Sequence, residues 1–306
     1  MKKERTLPKF DSIADAHKAF GLPLPKHPLI SLITGDMGGN INTHGGTHVL
    51  SFYKISFNPR LSSKVKYGQG YYDFNEGGML FASPNQVIGS DEDVPELPEC
   101  SLLSLIIHPD FLMGFPLAQD IKQYGFFSYA TREALHLSQE EKETIISLFN
   151  MIKKELESRI DDFSQDVVIS QIALLLNFCN RYYKRQFITR KAVNHDILLK
   201  LEAYLDEYLN EEKAQTDGIP SVQSLAEHVN LSSNYLSDLL RSLSGRNTQQ
   251  LIQDKLIEKA KDLLSTTNLS VSEIAYQLGF DYSQSFSRFF KTKTEMSPVL
   301  FRRSFN

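Results

Sequence analysis

The chain has 306 residues, 41% of them hydrophobic, and a formal charge of −4, so it is long enough for two domains with cores. That charge total by itself suggests no nucleic-acid partner. Two cysteines, Cys100 and Cys179, are too few for a disulfide framework or a zinc site and imply a reducing compartment.

The opening MKKERTLPKF is basic but no apolar stretch follows it, which argues against a signal peptide. Residues 28–107 hold short runs rich in β-branched and aromatic residues: LISLITG, HVLSFYKISF, SKVKYGQGYYDF, GGMLFASP and SLLSLIIH. Gly, Pro and Asn punctuate them, which predicts a small antiparallel sandwich or barrel. The acidic stretch 91–99, with Pro95 and Pro98, reads as a solvated loop. His44 and His48 form the one close histidine pair, but Gly45 and Gly46 argue against the helix that would bring them together. In a strand they would stand roughly 13 Å apart, too far for one ion. The glycines at 35–39 and 68–70 follow no phosphate-binding spacing, and no local motif marks a Ser-His-Asp group. Residues 72–84, YDFNEGGMLFASP, are similar to the strand, Gly turn and strand of cupin-like sensor domains. The His-x-His with a following Glu that a metal cupin requires is missing, so neither catalysis nor a bound metal is expected.

From Ser138 the pattern turns helical. Ser138 and Glu141 form a capping-box pair, and Ile145, Ile146, Phe149, Ile152 and Leu156 follow at helical spacing. The most apolar run, 167–179, is interrupted by Ser170, Gln171 and Asn177 and is too short for a bilayer span of roughly twenty residues. It reads as a helix buried on most sides, and the chain as soluble and cytoplasmic, with no membrane partner. A third helix places Ile197, Leu201, Leu205, Tyr208 and Leu209 on one side. These stripes either cover the β domain or form dimer contacts. Residues 210–220, NEEKAQTDGIP, have the composition of a hinge.

The last third carries one pattern twice. In the second copy Ser270 and Glu273 form a capping box, and Val271, Ile274, Ala275 and Leu278 make an apolar stripe. Gly279 breaks this helix, Phe280 fills the corner, and Asp281 can cap a second helix that buries Phe286, Phe289 and Phe290. In the first copy Val222, Leu225, Ala226 and Val229 form the stripe, Leu231 fills the corner, and Ser232 or Ser233 caps. Leu236, Leu239, Leu240 and Leu243 then line the second helix. Residues 250–264 between the copies read as one helix, with Ile252, Leu256, Ala260 and Leu263 inward. Two helix-turn-helix units on one connecting helix could enter successive major grooves of B-DNA.

The A-x-x-L-L of residues 260–264, LSVSEIAYQLGF, FSRFFKTKTEMSP and Phe301-Arg302 together resemble the AraC/XylS-type transcriptional regulators, over about the last ninety residues. Glu295 departs from that pattern, which has Gly in the turn after the second recognition helix; the first copy keeps Gly245. A residue other than Gly there either adopts a positive φ or moves the turn. The resemblance implies an α+β chain in three parts: a β-rich cupin-like sensor domain (1–136), a helical linker and dimerisation region (137–210), and a DNA-binding domain with two helix-turn-helix motifs (211–306). It further implies double-stranded DNA as partner, a homodimer, a small-molecule effector and contact with RNA polymerase. The rival is a cupin-type ligand-binding protein or metal enzyme whose helical C-terminal part mediates assembly. Charge divides in favour of DNA: from Gly218 onward ten Lys and Arg stand against eight Asp and Glu.

Aligned on the family, the groove-facing positions are Asn234, Ser237, Asp238 and Arg241 in the first recognition helix. In the second they are Ser283, Gln284, Ser287, Arg288 and Lys291. Arg pairs bidentately with guanine and Gln with adenine. The second helix has both. The first has Asn234 for adenine, but Asp238 sets a carboxylate close to phosphates. The second helix is therefore expected to discriminate more strongly between sequences.

Overall fold

A computed structural model of the chain describes residues 7–37, 48–59, 65–67, 70–72, 77–88, 103–130, 133–158, 161–189, 191–210 and 213–305. The chain divides into two compact units, Met1–Gln186 and Phe187–Asn306.

The N-terminal unit is built on strands β2 (Ile30–Thr34), β4 (Tyr53–Asn58), β7 (Gly78–Ala82), β9 (Leu103–Ile107) and β10 (Leu135–His136). They form one antiparallel sheet in the order β10-β7-β4-β9-β2. Side chains alternate across a strand, so Tyr53, Ile55 and Phe57 of β4 share one face, and Lys54 and Ser56 share the other. On the first face the Tyr53 ring meets Phe127 at 5.2 Å and Phe81 meets Phe126 at 4.5 Å. Tyr183 stacks on Phe126 at 5.4 Å and 13°.

The second face, with Ile33 and Ile106, packs against Ile13 and Ala16 of helix α1 (Ile13–Ala19) and against Leu50 and Phe52. Both faces are thus covered, and all five residues of β2 are buried. The antiparallel expectation fails in a second, three-stranded sheet. There β1 (Lys9–Phe10) runs parallel to β3 (His48–Leu50), which pairs antiparallel with β8 (Val87–Ile88). The long connection from β1 to β3, which includes α1 and β2, permits the parallel pair, and the Ser12 cap of α1 is too local a signal to reveal it. A two-stranded ribbon, β5 (Val65–Tyr67) with β6 (Gly70–Tyr72), completes the strands. Residues 91–99, Cys100 and part of the 72–84 segment lie outside the described residues.

Helix α3 (Gln139–Glu157) opens with the expected capping box of Ser138 and Glu141. Its Ile145, Phe149 and Ile152 are fully buried. Helix α4 (Ser164–Thr189) buries Val168, Ile172, Leu175, Leu176 and Cys179 but leaves Val167 and Leu174 exposed, so it is amphipathic rather than enclosed. Burial pushes the Cys179 thiol well above its ordinary range. Arg185 of α4 pairs with Glu141 and donates to the His136 carbonyl at 2.8 Å. The α3 stripe is therefore spent inside its own unit and by itself gives no reason for a dimer.

The C-terminal unit is all helical. Helix α5 (Lys191–Asn210) buries Leu201, Leu205 and Leu209, and α6 (Lys213–Asp217) follows. Then come α7 (Val222–His228), α8 (Ser233–Ser244), α9 (Thr248–Thr266), α10 (Val271–Gln277), α11 (Ser283–Thr294) and α12 (Pro298–Arg303). The polar segment expected to hinge holds α6, with Ala214 fully buried. The Tyr208 hydroxyl donates to the Gly218 carbonyl at 3.1 Å, and Gly218 lies against Gly279. Composition alone reads this segment as loose because its few anchoring residues are far apart in sequence from their partners. No helix among the described residues is long and apolar enough to cross a membrane.

Candidate nucleic-acid interface

Each helix-turn-helix starts on a cap that holds its first turn. Ser270 accepts from the Glu273 amide at 3.2 Å while Glu273 accepts from the Ser270 amide at 2.6 Å. That backbone hydrogen bond holds the Glu273 carboxyl below its usual range. Ser221 and Ser224 make the corresponding box on α7. Ala226 and Ala275 are buried at 1% and 0% exposure, as expected where the two helices of each unit cross. The corners are filled by Leu231 and by Phe280, which meets Phe286 and Phe289 at 5.4 Å.

The two turns differ in length by one residue. Helix α7 and helix α10 start 49 positions apart, whereas α8 and α11 start 50 apart. The extra residue displaces Asp281 from the cap. The N-cap of α11 is Tyr282, with no side-chain hydrogen bond, whereas Ser232 caps α8 by accepting from the Tyr235 amide at 3.2 Å. Counted from the helix starts, Asn234 matches Gln284, Ser237 matches Ser287, Asp238 matches Arg288 and Arg241 matches Lys291.

The polar face of α11 carries Gln284, Arg288 and Lys291 exposed and Ser283 and Ser287 half-exposed, opposite the buried Phe286 and Phe290. Among the described residues Arg288 and Lys291 have no ion-pair partner, and Arg288 does not reach Asp281. On α8 the matched face is already engaged. Arg241 pairs with Asp238 at 2.5 Å, and Arg246 beyond the helix pairs with Asp254 at 2.7 Å. Ser237, half-exposed, shares a 3.1 Å hydrogen bond with Thr248, which is fully buried. Asn234 stays exposed. The matched Ser287 lacks this restraint because Pro298 stands where Thr248 does, without a hydroxyl.

Two further exposed side chains of α11 and its cap are not singled out by the sequence pattern. Tyr282 is 68% exposed at the start of α11, and Lys293 is exposed in its last turn. A Tyr among polar neighbours carries no periodic signal, and only the displaced cap marks its place.

In the N-terminal unit His48 lies in β3 with its ring edge-on to Phe10 and Phe20. His44 lies outside the described residues. His108 caps a 3₁₀ turn by accepting from the Asp110 amide at 3.3 Å.

A helix-turn-helix domain family matches residues 225–304. The uncharacterized HTH-type transcriptional regulator YfiF of Bacillus subtilis is 26% identical over 283 residues, covering 86% of this chain and 81% of that one. The arabinose operon regulatory protein of Escherichia coli is 41% identical over 81 residues, which are 26% of this chain and 28% of that protein. Among solved structures, the C-terminal domain of the two-component response regulator yesN from Fusobacterium nucleatum is 31% identical, covering 33% of this chain and 93% of that one, with a TM-score of 0.30. Two capped helix-turn-helix motifs flank α9 and the relatives are AraC-type transcription regulators, so the C-terminal end of the chain carries a helix-turn-helix domain of the AraC type.

Proposed function

We propose that this regulator recognises a specific double-stranded DNA site mainly through α11, with α8 serving as the weaker second contact. The observation that carries this is the difference in free charge. Arg288 and Lys291 stand unpaired among the described residues, while Arg241 is neutralised by Asp238 on its own helix. Arg288 and Gln284 are the base-reading candidates, for guanine and adenine, with Lys291 on phosphate. The 19-residue α9 spans about 28 Å, close to the roughly 34 Å between successive major grooves. An electrophoretic shift on genomic fragments tests the reading. Affinity for a subset of fragments should fall steeply with salt; equal affinity for all fragments at every salt concentration would overturn it.

Residues 1–136 act as a sensor domain and residues 211–306 as the DNA-binding domain, in the cytoplasm, with RNA polymerase the partner through which transcription responds. The region 137–210 supplies the contacts of a homodimer. What supports the dimer is not the buried stripes of α3 and α5 but an exposed one along α4. Phe163, in the turn just before that helix, and Val167 and Leu174 on it are 72%, 39% and 43% exposed. Sedimentation of the full chain tests this, a monomer at micromolar concentration being the contrary result.

A further inference from the structure

Helix α6 stands before the first helix-turn-helix in the chain yet packs against the second. Ala214 of α6 is fully buried. A Cβ on Gly279, in the turn between α10 and α11, would stand 2.8 Å from the Ala214 oxygen and 2.6 Å from the Gly218 carbonyl carbon. Gly279 has φ 83°, so the missing side chain and the left-handed turn together let this turn close on the backbone of residues 214–219. The Gly218 amide donates to the Ala214 oxygen at 3.1 Å. The Tyr208 hydroxyl donates to the Gly218 oxygen at 3.1 Å, which ties the segment back to α5. Helix α5 in turn grips the first motif and the connecting helix. Its Tyr204 stacks at 4.2 Å on His228, the last residue of α7. Lys255 and Lys259 of α9 donate to Asp206 at 3.1 Å and to Asn210 at 2.6 Å. The two motifs are therefore joined twice, through α9 along the chain and through residues 204–218 across it.

We propose that α6 and Gly218 form a strap that fixes the distance and rotation between α8 and α11, so that the regulator accepts its two half-sites at a single spacing. Tyr208, Ala214, Gly218 and Gly279 are its positioning residues. The proposal rests on the reading of α8 and α11 as the two DNA contacts. One inserted base pair moves a half-site by about 3.4 Å along the duplex and turns it by about 34°. A recognition helix held at the wrong place or angle loses its base-edge hydrogen bonds. One free to pivot on residues 267–270, between α9 and α10, keeps part of them.

The test uses the full chain, a duplex selected from a random pool, and the same duplex with one base pair inserted or removed between the two footprinted half-sites. Fluorescence anisotropy reads the three affinities. The parent should bind the altered duplexes at least about tenfold more weakly than the selected one. Tyr208→Phe removes only the hydroxyl that holds Gly218 and should reduce that ratio to about fivefold. Gly279→Ala pushes residues 214–219 away and should reduce it to about threefold or less. A general loss of stability lowers all three affinities together and leaves their ratio unchanged. Tyr208→Phe carries the test should Gly279→Ala not fold. An unchanged ratio in the variants that fold, or a parent that binds all three duplexes equally, would overturn the strap and leave DNA recognition in place. A parent that selects no sequence from the pool overturns the DNA reading and the strap with it.

Discussion

The two helix-turn-helix motifs solve the same backbone problem with their residues exchanged. Each needs a left-handed residue in the turn between its helices and another just after its second helix. The first motif uses Asn230 (φ 55°) and then Gly245 (φ 73°); the second uses Gly279 (φ 83°) and then Glu295 (φ 62°). Space explains the turn positions. A Cβ on Gly279 would stand 2.6 Å from the Gly218 carbonyl carbon and 2.8 Å from the Ala214 oxygen, so only Gly fits. Asn230 is exposed, and Asn tolerates this conformation better than most residues. At the helix end the logic reverses: nothing lies within 4 Å of a Cβ at Gly245, so sterics with neighbours demand no Gly at either cap. Glu295 thus keeps the turn geometry of the family's Gly and carries the backbone cost itself. Similar folds place different demands on matched positions because the surroundings differ.

That contrast gives predictions of decreasing size. Gly279→Ala should lose about 2–5 kcal/mol of stability, adding the overpacking against residues 214–219 to the left-handed penalty, while Asn230→Ala should lose only about 1 kcal/mol. Urea unfolding of the full chain followed by helical circular dichroism compares them, and equal losses would mean that the close approach of Gly218 and Gly279 is not a restraint.

The recognition helices differ in charge at two matched pairs, Asp238 with Arg288 and Leu243 with Lys293, and only the first lies among the groove-facing candidates. Arg288→Ala should weaken binding to a selected site by about 1–3 kcal/mol. Asp238→Ala should tighten binding to unrelated DNA, because it frees Arg241 and removes a carboxylate facing phosphates. The exposed Asp238–Arg241 pair itself adds little to folding, so this variant should remain as stable as the parent. Fluorescence anisotropy on specific and random duplexes reads both effects.

A smaller effect belongs to the caps. Glu295→Gly should stabilise the chain by about 0.5–1 kcal/mol by relieving the left-handed conformation, and Gly245→Glu should cost a similar amount. The smallest concerns pH. Glu273 has a folded pKa below its unfolded one, so its contribution is complete above the ordinary carboxylate range and is lost as pH falls through the lowered folded value. Helix α10 should therefore fray first under acid, which amide exchange followed along a pH series detects; equal protection of α7 and α10 at every pH would oppose it.

Much of the DNA-binding part is legible in sequence because its determinants are local. Ser270 with Glu273, the Phe286–Phe290 spacing and the corner residue Phe280 all act within about a turn of one another. The misreadings have a common physical origin in distant partners. Ser237, placed among the groove-facing positions by alignment, is half-exposed and also hydrogen-bonded to Thr248, eleven residues on. Asp281 looks like a cap until the longer turn hands that place to Tyr282. Residues 210–220 look like a hinge because Tyr208, on α5, and Gly279, in the turn after α10, which hold Gly218, lie outside the segment.

The central claim is that α11, through Arg288, reads bases while α8 mainly anchors. Selection of binding sites from a random duplex pool by the parent, by Arg288→Ala and by Asp238→Ala addresses it most directly. Preference at one or two base pairs should flatten for Arg288→Ala and persist for Asp238→Ala. An Arg288→Ala variant that selects the same sequence with the same sharpness would contradict it.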